Sequence, residues 1–238
     1  EIVVAMPSAP PAAVRRLVDI CKDIDVKLTI LPHDRGVLQG PVTLAQLREV
    51  QIEDLLGREP IKLELPELAA DIEGETVLIT GAAGSIGSEL ARQVALHRPA
   101  RLVLFDQAET ALFYIELELR EKHPDLDLVA VIGDIRNEVR VTGMFDEYGP
   151  SRVYHAAAYK HVPMMESNPS EAVRNNLVGT WQMARAAGES GCQKFVLIST
   201  DKAVNPTSVM GTTKRAAELV FLSCAEQYPA TSVPAVRV

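Results

Sequence analysis

Short apolar runs alternate with longer amphipathic stretches along most of this 238-residue chain. From Glu75 onward the runs fall at 76–80, 101–105, 126–132, 152–155 and 194–199. Between them, apolar residues recur at helical spacing near 85–97, 108–122, 137–147, 170–189 and 208–227. Runs too short for helices, alternating with stretches too long for strands, predict parallel β-α-β units: an α/β, doubly wound sheet covered by helices on both faces. The first 65 residues read as a separate unit. Ile2–Met6 is a strand, Pro10-Pro11 opens a helix with Val14, Leu17, Val18 and Cys21 on one stripe, and Val26–Leu31 is a second strand. Two strands do not make a stable sheet, so this unit is expected to complete a domain that begins upstream. A polar, proline-punctuated connector from Pro41 to Pro66 follows, with the boundary placed between Pro66 and Glu73. The chain opens on Glu1 directly into a strand and ends, at Val233–Val238, on one just beginning, so it is expected to be a piece of a longer protein.

Composition narrows the function classes. With 47% hydrophobic residues the chain can bury a core, and with 24 Lys+Arg against 32 Asp+Glu its net charge of −8 lacks the basic footprint of a nucleic-acid binder. No run approaches the roughly 18 apolar residues of a membrane span, and no secretory signal is present. Cys21, Cys192 and Cys224 lie far apart without metal-ligand spacing, which points to buried thiols in a reducing compartment and to no metal site.

The chemistry gathers at strand ends. Directly after the 76–80 run comes Gly81-Ala82-Ala83-Gly84-Ser85-Ile86-Gly87, opening a helix. Glycines allow the tight turn, the close approach of a pyrophosphate to the backbone and the packing of helix on strand, while the helix start offers free N–H groups to phosphates. Asp106 closes the next strand, where an acidic residue accepts from an adenosine ribose and repels a 2′-phosphate, so NAD is favoured over NADP. Asp134-Ile135 closes the third strand. Asp134 is placed either to hold an adenine amino group or to cap the helix beginning near Asn137. After the fourth strand, Ala156 and Ala157 leave room for a ring, and Lys160 and His161 either meet an anionic substrate or are solvated loop charges. The fifth strand ends in Thr200-Asp201-Lys202, a hydroxyl, a carboxyl and an amine in series: an acid/base arrangement, with a loop ion pair as the plain alternative. Met210 and Lys214 are i and i+4 on one helix face, the spacing by which a dehydrogenase aligns a tyrosine with a ribose-binding lysine, but a thioether exchanges no proton and also suits a core.

Taken together, Gly81–Gly87, His155–Pro163 with Met164-Met165-Glu166, Asn175–Thr180 and Ser199–Arg215 resemble the nucleotide-sugar 4,6-dehydratases of polysaccharide biosynthesis, which are extended short-chain dehydrogenase/reductases. Residues 1–65 resemble the end of the family's preceding Rossmann-like domain, Asp54–Arg58 its connector, and 66–238 its NAD-binding catalytic domain. Met210 beside Thr200-Asp201-Lys202 resembles the long, membrane-anchored branch. The resemblance implies NAD-dependent dehydration of a UDP-N-acetylhexosamine, expected to be UDP-N-acetylglucosamine, with retention at C5. Its implied roles are Lys202 as base, aided by desolvation beside the cationic ring, Asp201 as acid, Thr200 with Asp201 handling the C4 hydroxyl proton, and Lys214 on the nicotinamide ribose. It also implies a homo-oligomer at the cytoplasmic face, with the parent anchored in a bacterial inner membrane. A sugar 4-epimerase and a non-catalytic NAD-binding module are the competing readings. Because the chain stops before the region expected to hold uridine and sugar, the 238-residue piece alone is expected to turn over little or not at all.

Overall fold

The computed structural model describes residues 2–6, 11–21, 26, 28–30, 48–49 and 66–238, in two compact units, 1–64 and 65–238. In the first, strand β1 (Ile2–Val4), helix α1 (Pro11–Cys21) and strand β2 (Leu28–Ile30) form a β-α-β turn with the strands parallel. A third strand, β3 (Arg48–Glu49), pairs antiparallel with β2, an addition the two-strand reading did not contain. Val4, Val14 and Ile30 are its buried apolar contact. Apart from β3, the expected connector up to residue 65 lies outside the described residues.

The boundary segment itself is helical. Helix α2 (Pro66–Ile72) places proline at its first position, where a missing N–H costs nothing, and buries Ile72 in the second unit's core. Its Asp71 accepts from Arg152 and Lys194, so the helix belongs to the second unit rather than to a linker.

The second unit is a six-stranded sheet. Its strands are β4 (Thr76–Thr80), β5 (Arg101–Asp106), β6 (Leu128–Ile132), β7 (Arg152–His155), β8 (Lys194–Ser199) and β9 (Ala235–Arg237), ordered β6-β5-β4-β7-β8-β9 and all parallel. The order reverses between β4 and β7, and in such sheets ligands lie outside the carboxyl ends of the strands at that switch point. Successive residues of β4 point to opposite faces, yet Val77, Leu78 and Ile79 are all buried, because helices cover both sides. Val77, Ile79, Leu102 and Leu104 pack with Leu112, Ile115 and Leu119 of α4 (Glu109–Lys122). Leu78, Val103, Phe105 and Val153 pack on the other face with Met144, Met183, Phe195 and Phe221.

The remaining helices are α3 (Ser85–Leu96), α5 (Glu138–Tyr148), α6 (Val162–Ser167), α7 (Pro169–Ala172), α8 (Thr180–Glu189) and α9 (Val209–Gln227). Two features depart from the expected pattern. Helix α6 at Val162–Ser167 has no counterpart among the helices expected from the spacing, and the helix expected over 170–189 is interrupted by a π-helix at Val173–Gly179. No described helix is long and apolar enough to cross a membrane.

Candidate functional site

The glycine turn between β4 and α3 is dictated by close approaches. Gly81 has φ +68°, and a Cβ there would lie 2.6 Å from Ala157 N. One on Gly87 would lie 2.0 Å from Gly81 O. The turn therefore sits flush against the segment after β7 and lets α3 start directly on the strand end. Gly84 occupies the N-cap without a side-chain cap, so the N–H groups of Ser85, Ile86 and Gly87 have no partner within the helix. Asp106 braces this turn: Oδ2 accepts from Ala83 N and Oδ1 from Ala108 N, each at 2.9 Å. Each carboxylate oxygen keeps a lone pair for a further donor.

A single cleft at the carboxyl edge is lined by Gly81, Gly84, Asp106, Asp134, Ile135, Ala156 and Ala157, all of which the sequence singled out, and also by Tyr159 and Asn175. Asp134 does not cap α5. That cap is Asn137, whose side chain accepts from Arg140 N at 3.1 Å. Asp134 instead accepts a fork from Arg136, which holds its carboxyl below the usual carboxylate range.

The trio at the end of β8 stands on the same rim. His155, the last residue of β7, pairs in register with Leu197, so β8 runs two residues farther along the same direction, to Ser199, and Thr200-Asp201-Lys202 follows immediately, with the 3₁₀ turn Asp201–Ala203. Lys202 Nζ lies 3.4 Å from Asp201 Oδ1 and both side chains are exposed, so here the ion pair forms and the desolvation expected around Lys202 is absent. Lys160 and His161 are exposed beside the same edge.

Met210 and Lys214 share the inward face of α9, as their spacing requires. Met210 is buried against Met165 and Ala172, a core position. Lys214 is buried too, and its ammonium donates to Ile198 O at 2.8 Å, leaving two N–H donors. Burial lowers its pKa to about 8 against the opposing pull of Glu218.

Behind the cleft runs a buried polar chain. Thr180 Oγ1 donates to Asn176 O at 2.7 Å, so it can only accept from His155 Nε2, 3.0 Å away. The bare Nδ1 then accepts from Thr80 at 2.6 Å. His155 is thus neutral in a single tautomer, and burial, with the Lys214 charge, lowers its pKa to about 3. Asn176, in the π-helix, accepts from Tyr159 N at 2.8 Å and donates to Tyr159 O at 3.0 Å and Thr213 Oγ1 at 3.1 Å.

A sequence profile described as "Polysaccharide biosynthesis protein" matches residues 77–238. The chain belongs to this family. The capsular polysaccharide biosynthesis protein CapD of Staphylococcus aureus is 42% identical over 238 residues, 100% of this chain and 40% of its own. A UDP-N-acetylglucosamine 4,6-dehydratase (inverting) of Campylobacter jejuni is 32% identical over 151 residues, 63% of this chain and 43% of that one. The crystal structure of UDP-glucose 4-epimerase from Brucella ovis in complex with NAD matches with TM-score 0.59 and 25% identity, covering 68% of this chain and 51% of that one. The chain therefore spans about two fifths of the length of these curated relatives.

Arg136 carried no reading from the sequence, and Asn176 and Thr180 entered only within the Asn175–Thr180 stretch of the resemblance, without a role of their own. The available signals were an arginine two residues after a strand-end aspartate and a polar Asn-Asn pair inside an otherwise apolar helical pattern.

Proposed function

We propose that this chain carries the NAD site and the acid/base residues of a nucleotide-sugar 4,6-dehydratase acting on a UDP-N-acetylhexosamine, UDP-N-acetylglucosamine first among them. The observation that carries this reading is the common rim. The glycine turn, Asp106 and Asp134 lie at the ends of β4, β5 and β6, and Thr200-Asp201-Lys202 follows β8 on the same edge of one parallel sheet. The residues present fit a dinucleotide, since Gly81 and Gly84 line the cleft directly at the end of β4 and the uncapped start of α3 leaves N–H donors for a pyrophosphate. Asp106 would take the adenosine ribose, Asp134 and Ile135 the adenine, and Ala156 and Ala157 the space beside it. Lys214, with two donors free, would take the nicotinamide ribose.

When bound, NAD⁺ supplies reversible hydride transfer with the sugar. Lys202 would remove the C5 proton that the neighbouring C4 ketone acidifies, and Asp201 would protonate the departing C6 hydroxyl. Thr200, which donates to Asp201 Oδ1 at 3.1 Å, would relay to the Asp201 carboxylate the C4 hydroxyl proton that Met210 cannot accept, and this is the proton Asp201 would then give to the C6 hydroxyl. Lys160 and His161 stand as candidate contacts for the anionic diphosphate.

Two measurements test the reading. Calorimetry should show the 238-residue chain binding NAD. A protein of the relatives' length carrying this chain should convert UDP-N-acetylglucosamine to a product one water lighter by mass spectrometry. Lys202→Met should keep NAD and lose at least about a hundredfold in product formation, the usual scale of a removed acid/base group. A product of unchanged mass would identify an epimerase instead, and an unaffected Lys202→Met variant would remove the proposed base.

A further inference from the structure

We infer that Arg136 sets the base preference of the dinucleotide site, by holding the Asp134 carboxylate in one orientation as a pure acceptor that takes a 6-aminopurine and refuses a 6-oxopurine. The inference rests on the NAD reading and adds a residue to it that lines no part of the cleft.

The geometry is a fork with a backstop. Arg136 Nε lies 3.0 Å from Asp134 Oδ1 and 2.9 Å from Oδ2, Nη2 lies 2.6 Å from Oδ2, and the backbone N of Arg136 donates to Oδ1 at 2.9 Å. The far arm, Nη1, donates at 2.6 Å to Glu171 Oε2 on α7, directly ahead of the π-helix that brings Asn175 to the cleft. A guanidinium pinned at both ends cannot swing away, and a bidentate pair fixes its carboxylate far better than a point charge does. An ionised carboxylate offers about four acceptor directions. Three donors of Arg136 make four contacts, with the Nε proton shared between the two oxygens, so the carboxylate keeps room for at most one further donor, and Asp134 lines the cleft. The remaining lone pair can meet an amino group. A ring carbonyl at the same place would set acceptor against acceptor, and a carboxylate locked in the fork does not turn to the neighbouring N1–H of a 6-oxopurine.

The test titrates the 238-residue chain calorimetrically with NAD and with nicotinamide hypoxanthine dinucleotide, whose purine carries oxygen in place of the 6-amino group. The chain should bind NAD at least about tenfold more tightly, the scale of one unsatisfied polar group. Arg136→Met and Arg136→Lys should both bring that ratio to about twofold or less, because lysine keeps the charge without the fork. A general packing defect would weaken both dinucleotides alike and leave the ratio unmoved. Should these variants fail to melt cooperatively, Glu171→Ala removes the acceptor of the far arm while sparing Asp134, and it should lower the ratio at least about twofold. A wild-type ratio near one overturns the inference, as does a ratio that persists in the folded variants or that persists with lysine alone. Failure of the wild-type chain to bind either dinucleotide would instead overturn the cofactor reading, and this inference with it.

Discussion

Lys214 does two incompatible things at once: it sits in the core and it carries an amine. Its pKa of about 8 in the fold, against an ordinary value of 10.5, means that the charged form is the disfavoured one there. Between those two values the unfolded chain binds more protons than the native one, so this residue makes the protein gain stability as pH rises from about 8 to 10.5 and lose it on the way back. At about 1.4 kcal/mol per unit, the swing is about 3 kcal/mol. Chemical denaturation at several pH values should show that rise, and Lys214→Met should flatten it. The depressed pKa also leaves part of the amine neutral near pH 8, so its grip on a ribose should weaken above that pH. At this scale the sequence was half informative. The glycines, Asp106, Asp134 and the two alanines gather in one cleft because strand ends in a parallel sheet share a rim, a rule readable from the alternation alone. The environment of a side chain was not readable. Spacing placed Met210 and Lys214 on one face without saying that the face points inward, and desolvation, expected at Lys202, falls on Lys214 instead.

Among the elements, the π-helix Val173–Gly179 is the least legible and the most consequential. Hydrophobic spacing reports which residues face the core, but a shift from i→i+4 to i→i+5 hydrogen bonding changes that spacing by too little to register. The strands of the second unit were legible because buried runs bounded by polar turns leave few alternatives. α2 went unassigned because prolines signal linkers as readily as helix starts. What the π-helix achieves is burial of Asn175 and Asn176 side by side. Asn176 then mimics a neighbouring strand, pairing with both the N–H and the C=O of Tyr159 and so holding the segment that lines the cleft. Asn176→Ala should cost about 2–4 kcal/mol, since two backbone groups and the Thr213 hydroxyl lose their partner. Thermal melts measure the loss, and a change below about 1 kcal/mol would mean that water replaces the amide freely.

Seen whole, the second unit is a three-layer body whose apolar interior is crossed by the polar chain Thr80–His155–Thr180–Asn176, with Ser199 and Glu218 forming a second buried polar pair. That chain joins the strand feeding the glycine turn to the helix feeding the Tyr159 segment, so the two walls of the cleft share a hydrogen-bonded support. Its stability depends on the imidazole staying uncharged: Nδ1 must accept and Nε2 must donate, and a second ring proton would face the Thr80 hydroxyl with nothing to receive it. Mild acid therefore acts on this ring through the unfolded chain, because the buried imidazole stays neutral while the exposed one takes up a proton. From pH 6.5, where the unfolded imidazole begins to take up a proton, down toward about 3, where the folded one finally does, each unit of acidity tilts the balance toward the unfolded chain by up to about 1.4 kcal/mol. Above about pH 5 most carboxylates are still silent, so urea midpoints measured at pH 7 and 5.2 should fall for the wild type and hold steady for His155→Gln. In mildly acidic solution the protein would thus shed stability through a single ring of five atoms well before its surface carboxylates titrate.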